Sequence, residues 1–188
     1  GTMVAGTNAM NVYTVAHATQ GLADLINKEC KAAMGVAVGC DSRNNSRLFA
    51  ETAACVLAAN GIKVHLFRGI RPTPVLSFAV RELHCIAGIN ITASHNPKQY
   101  NGYKAYWEDG AQLPPDHAKT VSEFIAAADT FDDVKQMKLE DALASGIVEY
   151  IPDEFDEIYL KNVLAEAVNP KVVAEVAEDL KIVYTPLH

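Results

Sequence analysis

Two short apolar runs, Val36-Ala37-Val38-Gly39 and 85–91, and one alternating run, Ile62-Lys63-Val64-His65-Leu66-Phe67, each follow a stretch whose apolar positions recur at helical spacing. Runs of this length and β-branched content predict strands, and the 3.6-residue pattern between them predicts helices. Asn11 caps a first helix to about residue 33, with Val15, Leu22, Leu25 and Ile26 on one face and Gly35 just past its end. Ser46 caps a second helix, in which Phe49, Ala53 and Val56 share a face and Asn60-Gly61 closes the last turn. Thr73 caps a third, with Pro74 at its first position and an end near His84. This alternation predicts an α/β fold, a three-layer α/β/α sandwich on a mixed, mostly parallel sheet.

The second half is less regular. Tyr103, Lys104, Ala105, Tyr106 and Trp107 read as a further strand, and Pro114-Pro115-Asp116 starts a helix through about residue 128. A short helix over 138–145 ends before Gly146, and 147–151 forms an edge strand. Asp153 caps a helix whose first turn carries Glu154, Asp156 and Glu157, the sign that complements a helix dipole. No His or Cys accompanies those acids, so they read as a helix start rather than a metal site. Asn169-Pro170 opens a shorter helix, and 181–184 reads as a last strand.

With 188 residues, 49% of them hydrophobic, the chain can bury one substantial core. Cys30, Cys40, Cys55 and Cys85 form no Cys-x-x-Cys pair and sit among apolar or small residues, which predicts buried free thiols. No Lys or Arg precedes Lys28, so the start lacks the basic character of a secretory or transit peptide. No apolar run approaches the roughly 20 residues of a membrane span, and a soluble cytoplasmic protein is expected.

Charge is distributed unevenly. The chain carries a formal net charge of -7, yet 83–107 holds His84, His95, Lys98 and Lys104 and no Asp or Glu. A local basic pocket on an acidic protein favours a small anion such as a phosphate ester, whereas nucleic acid requires a broad basic surface.

That pocket centres on Thr92-Ala93-Ser94-His95-Asn96-Pro97-Lys98-Gln99-Tyr100-Asn101-Gly102-Tyr103-Lys104. Ser94 falls just past a strand's carboxyl end, the edge where open α/β sheets bind ligands. Asn96-Pro97 forces one bend and Asn101-Gly102 a second, which turns Lys104 back towards Ser94. Asn96 and Asn101 are read as holding the loop through side-chain to backbone bonds. Lys98 is either a phosphate contact or a solvated charge. A serine hydrolase is disfavoured, because no Gly-x-Ser-x-Gly elbow surrounds Ser94 and neighbouring side chains on an extended segment point apart.

The string resembles the phosphoserine loop of the α-D-phosphohexomutases, the phosphoglucomutase and phosphomannomutase family. Val36-Ala37-Val38-Gly39-Cys40-Asp41-Ser42-Arg43 is similar to that family's first strand and Asp-x-Arg turn, and Arg71-Pro72-Thr73-Pro74-Val75-Leu76 to its Thr-Pro helix start. Val183-Tyr184-Thr185-Pro186-Leu187-His188 resembles the opening strand of its second domain. The tyrosine-rich loop, followed by Gly110-Ala111-Gln112-Leu113, resembles the phosphoglucomutase and phosphopentomutase branch most.

The resemblance implies that residues 1–178 form an N-terminally incomplete domain I and 179–188 the truncated start of domain II. It implies that Ser94 carries a phosphoryl group exchanged with a sugar phosphate through a bound bisphosphate, interconverting glucose 1-phosphate and glucose 6-phosphate. His95 and Lys104 are then catalytic, Lys104 for proton transfer or phosphate contact and His95 as its partner. Asn96, Asn101, Lys98 and Arg43 bind phosphate or support the loop. Glucose 1,6-bisphosphate serves as activator and intermediate, and Mg²⁺ binds the Ser94 phosphate with its other ligands outside this chain. The family's Gly-Thr-Ala-Gly-x-Arg-Gly segment, Asp-x-Asp-x-Asp loop, sugar-selecting loop and phosphate-clamping loop are missing here. The chain is therefore expected to be a nearly inactive piece that works with the remaining domains of its parent. Phosphopentomutase or phosphomannomutase activity, and a non-catalytic relative that binds sugar phosphates or proteins, remain alternatives.

Overall fold

The computed structural model describes residues 1–185. Five strands form one sheet: β1 (Val36–Cys40), β2 (Val64–Phe67), β3 (Ala87–Ile91), β4 (Tyr103–Trp107) and β5 (Val148–Ile151), in the order β4-β3-β1-β2-β5. Every neighbouring pair is parallel except β3 with β4, which run antiparallel. The helices are α1 (Val12–Lys28), α2 (Ser46–Ala59), α3 (Thr73–Glu82), α4 (Pro115–Ala127), α5 (Leu139–Ala144), α6 (Phe155–Ala165) and α7 (Pro170–Val176). The chain divides into two compact units, Gly1–Asp153 with the whole sheet and Glu154 onward with α6 and α7. None of the described helices is long and apolar enough to cross a membrane.

Within the first unit the sheet is covered on both faces, giving the expected three layers. Val36, Val38, Ile89, Ile91 and Trp107 join Leu22 and Ile26 of α1 and Phe49, Ala53 and Leu57 of α2 in one continuous core. On the opposite face β1 and β3 present Gly39 and Gly88 to α3, where Leu76 and Val80 pack. A methyl group on Gly88 would come within 2.5 Å of Val80 Cγ2, so a bare backbone is what lets α3 approach β3.

Several boundaries differ from expectation because tertiary bonds decide them. Asn11 does cap α1, its Oδ1 accepting the N–H groups of Tyr13 and Thr14, while Thr14 Oγ1 accepts the N–H of Asn11. The helix stops at Lys28 rather than near 33. Lys31 N–H donates to Ile26 O and Cys30 N–H to Asn27 O, a C-cap that requires Cys30 at φ 57, where glycine is the usual occupant. Ser46 and Thr73 begin their helices without capping them. Ser46 Oγ instead donates to Asp41 Oδ1, and Thr73 Oγ1 accepts from Asn90 Nδ2. Asp153 pairs with Arg71 at 3.4 Å rather than capping α6. Residues 181–185 adopt no regular structure, so the strand expected at 181–184 does not form. The remainder of that stretch, 186–188, lies outside the described residues.

Relief of the left-handed strain should be measurable. Cys30→Gly is expected to stabilise the chain by about 1 kcal/mol, raising the melting temperature by roughly 2–4 °C in a calorimetric scan.

All four cysteines are free, but Cys30 is exposed, against the expectation of burial. Helix α1 ends too early to cover it. Burial pushes the thiols of Cys40, Cys55 and Cys85 up, that of Cys85 to about 12. A thiol with a raised folded value lends stability that is complete below its unfolded value and lost as pH rises through the folded one. One thiol is therefore expected to react rapidly with a disulfide reagent at pH 8 and four after denaturation, with alkaline destabilisation setting in between about 9 and 12.

Candidate active site

Strand β3 ends at Ile91, and the chain leaves the carboxyl edge of the parallel strands in a loop that returns as β4. Thr92 N–H donates to Gly102 O at 3.0 Å and closes the base of this loop. A Cβ at Gly102 would meet Thr92 O at 2.6 Å, so the closure requires glycine. The turns lie at Ser94-His95 and Lys98-Gln99, closed by Asn96 N–H to Ala93 O and Tyr100 N–H to Pro97 O. The first ends in the bend expected at Asn96, but Asn101-Gly102 carries no turn, because Asn101 is held by Ser46 and Asn44 and Gly102 already pairs with Thr92.

Ser94 sits at φ 57, in the left-handed region, with its N–H held by Thr92 Oγ1 at 3.0 Å. This conformation overturns the expectation that neighbouring side chains diverge. Ser94 Oγ lies 3.2 Å from His95 Nδ1, because the left-handed residue breaks the two-residue alternation of an extended segment. Both residues are exposed. Asn96 holds the turn from within, its N–H and Nδ2 both donating to Ala93 O, at 3.1 and 2.8 Å.

Arg43, on the turn after β1, binds the loop from beneath. Its Nη2 donates to Ser94 O at 2.8 Å and Asn96 O at 2.6 Å, and its Nη1 to Pro97 O and Tyr100 O, each at 3.1 Å. Asp41 holds the other end of that side chain: Oδ2 lies 3.5 Å from Arg43 Nε, and Oδ1 accepts Arg43 N–H and Ser46 Oγ. Asn101, fully buried, extends the network by donating from Nδ2 to Ser46 Oγ at 2.9 Å and Asn44 O at 3.1 Å. Both terminal nitrogens of Arg43 are thus committed to loop carbonyls, the geometry of a support rather than of a direct phosphate ligand.

Lys104 lies on β4 in register with Asn90, two positions beyond Gly102 at the closed base of the loop. Lys98 is exposed at the loop's outer bend. Neither makes an ion pair with another described residue, and both remain available to an anion. Cys40, beside Asp41, is buried, and desolvation keeps it a neutral thiol. Among the described residues no group of three His, Cys, Asp or Glu side chains could hold a metal.

Sequence reasoning underrated three participants. Asp41 and Ser46 were legible only as turn and cap residues, although their spacing around Arg43 is the signal that ties them to the loop. Asn90 is 1% exposed, and its Oδ1 has no hydrogen-bond partner. A polar residue inside an otherwise apolar strand run marks it in the sequence. The start of the chain also braces the loop, through Met3 N–H to Gln99 O and a bridge between Thr2 and Tyr100.

A mostly parallel α/β/α sandwich with a strained serine loop at its strands' carboxyl edge defines the class of domain. Residues 2–132 match the model of the phosphoglucomutase/phosphomannomutase α/β/α domain I. The chain therefore belongs to the phosphoglucomutase/phosphomannomutase family. It is 38% identical to a phosphoglucomutase of Staphylococcus saprophyticus over 97% of this chain and 32% of that protein. It is 37% identical to a phosphoribomutase of Saccharomyces cerevisiae over 99% of this chain and 31% of that protein. A Burkholderia thailandensis phosphoglucomutase/phosphomannomutase family structure shares the fold, with a TM-score of 0.66 at 21% identity over 88% of this chain and 34% of that one. The chain spans about a third of the length of the curated relatives it matches.

Proposed function

We propose that this chain is the phosphoserine-bearing domain I, over residues 1–178, of a cytoplasmic phosphohexomutase interconverting glucose 1-phosphate and glucose 6-phosphate. The observation that carries the reading is Ser94 itself, strained at φ 57 on the carboxyl edge with His95 Nδ1 3.2 Å from its Oγ. Strain of this kind concentrates at functional sites.

A hydroxyl of the bound sugar phosphate attacks the phosphorus carried by Ser94. The P–Oγ bond breaks, a sugar P–O bond forms, and the hydroxyl proton ends on the departing Ser94 Oγ, handed on by Lys104 and its partner His95. In the second half, Ser94 Oγ attacks the other phosphoryl group of the sugar bisphosphate, and the same residues move the protons in reverse. Such transfers depend on positioning and charge stabilisation more than on covalent chemistry, which suits a basic loop clamped by Arg43. Asn96 and Asn101 keep the loop's shape, and Lys98 contacts phosphate oxygens.

Mg²⁺ would find one oxygen ligand here, on the Ser94 phosphate, and no step above is routed through it. Turnover requires the remaining domains that the longer relatives carry.

The test is chemical. Incubating the parent protein with glucose 1,6-bisphosphate should place one phosphate on Ser94, located by peptide mass spectrometry, and its absence there would overturn the proposal. A pentose phosphate is the second reading, because the phosphoribomutase matches as well as the phosphoglucomutase does. Comparing kcat/KM for glucose and ribose phosphates separates the two; mannose phosphate belongs in the same assay, and a binding-only relative would turn over none of them.

A further inference from the structure

The Arg43 clamp has a geometric consequence for the other side of the loop. No described peptide bond is cis, and in a trans peptide the N–H points opposite to the preceding C=O. Each carbonyl drawn down to the guanidinium therefore turns the next residue's N–H up and away from it. Four carbonyls are drawn down, those of Ser94, Asn96, Pro97 and Tyr100. The residue after Asn96 is Pro97, which has no N–H. Asn101 N–H, after Tyr100, is already engaged by Gly1 O. That leaves His95 N–H and Lys98 N–H, which donate to no described residue and sit on exposed positions flanking the bend.

We infer that Arg43 and Asp41 are positioning residues for the phosphoryl group, acting through the backbone: they present His95 N–H and Lys98 N–H as fixed donors to the oxygens of phosphorylated Ser94. The proposal rests on the reading of Ser94 as the phosphoryl carrier. It explains why an arginine next to an anion-handling loop spends its fork on carbonyls. Main-chain donors fixed before reaction need no reorganisation when charge shifts, which makes them effective stabilisers of phosphate oxygens. Asp41 belongs to the device because its Oδ1 bonds to Arg43 N–H and Ser46 Oγ set the height of the guanidinium.

The experiment uses the full chain, ¹⁵N-labelled, with phosphoserine genetically encoded at position 94 and the unphosphorylated chain as reference. The His95 and Lys98 amide protons should move downfield on phosphorylation and follow the phosphate's ionisation near pH 6. In Arg43→Lys, which keeps the charge but loses the fork, those shifts should fall by more than half while phosphoserine stays in place. Unmoved amides in the wild-type protein overturn the proposal, as do wild-type shifts in a folded Arg43→Lys. Should Arg43→Lys not fold, Asp41→Asn takes its place: it keeps an oxygen acceptor, and loss of the two shifts there supports the proposal while their retention overturns it. Because the phosphate is encoded rather than transferred, a failure of the sugar bisphosphate to phosphorylate Ser94 would sink the mutase reading without touching this result.

Discussion

Ser94→Ala is expected to abolish phosphate incorporation from glucose 1,6-bisphosphate and to lower kcat of the parent enzyme by roughly 10⁴-fold or more. No neighbouring hydroxyl can take over. Thr92 Oγ1 is buried and accepts the Ser94 N–H, and Ser46 is buried with its hydroxyl engaged to Asp41 and Asn101. The fold should survive, because Ser94 is exposed and alanine has the same Cβ at φ 57; a change within about 0.5 kcal/mol is expected. Ser94→Gly separates function from stability more sharply. It should lose phosphorylation equally yet gain about 1 kcal/mol by removing the left-handed strain, read from melting curves beside intact-mass measurements. A Ser94→Ala protein that still takes up phosphate would show that the acceptor lies elsewhere.

The sheet was legible because its information is local. The runs at β1 and, apart from Asn90, β3 are apolar on both faces, as a sheet covered on both sides requires, and β2 shows itself by alternation. Helix ends were less legible because their hydrogen bonds are tertiary. Nothing near residue 46 indicates that its hydroxyl will serve Asp41 rather than a cap, and the bond from Asn90 to Thr73 crosses from strand to helix. The early end of α1 was hidden because the left-handed position at its close is filled by Cys30 rather than by glycine. The strand expected over 181–184 rested on β-branched composition and a family likeness, and without a pairing partner neither makes a strand.

The candidate site divides along the same line. Ser94, His95, Asn96 and Asn101 lie in one contiguous string, and their residue types announced a polar bend at a strand's carboxyl end. The contact between Ser94 and His95 was not announced, because it depends on a single backbone angle. Arg43 was recognisable as a neighbour of the site, but its two possible duties could not be told apart. Only the four bonds to loop carbonyls, from a residue more than fifty positions upstream, distinguish a clamp from a phosphate ligand.

Arg43→Ala is accordingly expected to cost about 1–3 kcal/mol in stability and on the order of 10²-fold in kcat. The stability loss arises mainly from Asp41, whose carboxylate keeps its bonds to Ser46 but loses the guanidinium 3.5 Å away. The loop carbonyls are closer to solvent and can be rehydrated, so their loss costs little folding free energy. The activity loss has a different origin: Ser94 is held through its own carbonyl, and a displacement of about 1 Å at the phosphoryl carrier is enough for a hundredfold effect. The two losses should therefore come apart in a double-mutant cycle. Adding Asp41→Ala to Arg43→Ala removes the stranded carboxylate and should recover part of the stability, seen in urea unfolding. It should recover none of the kcat, because the carbonyls of Ser94 and Pro97 remain unheld. Parallel recovery of both would mean that Arg43 matters only to folding, and the clamp would lose its catalytic meaning.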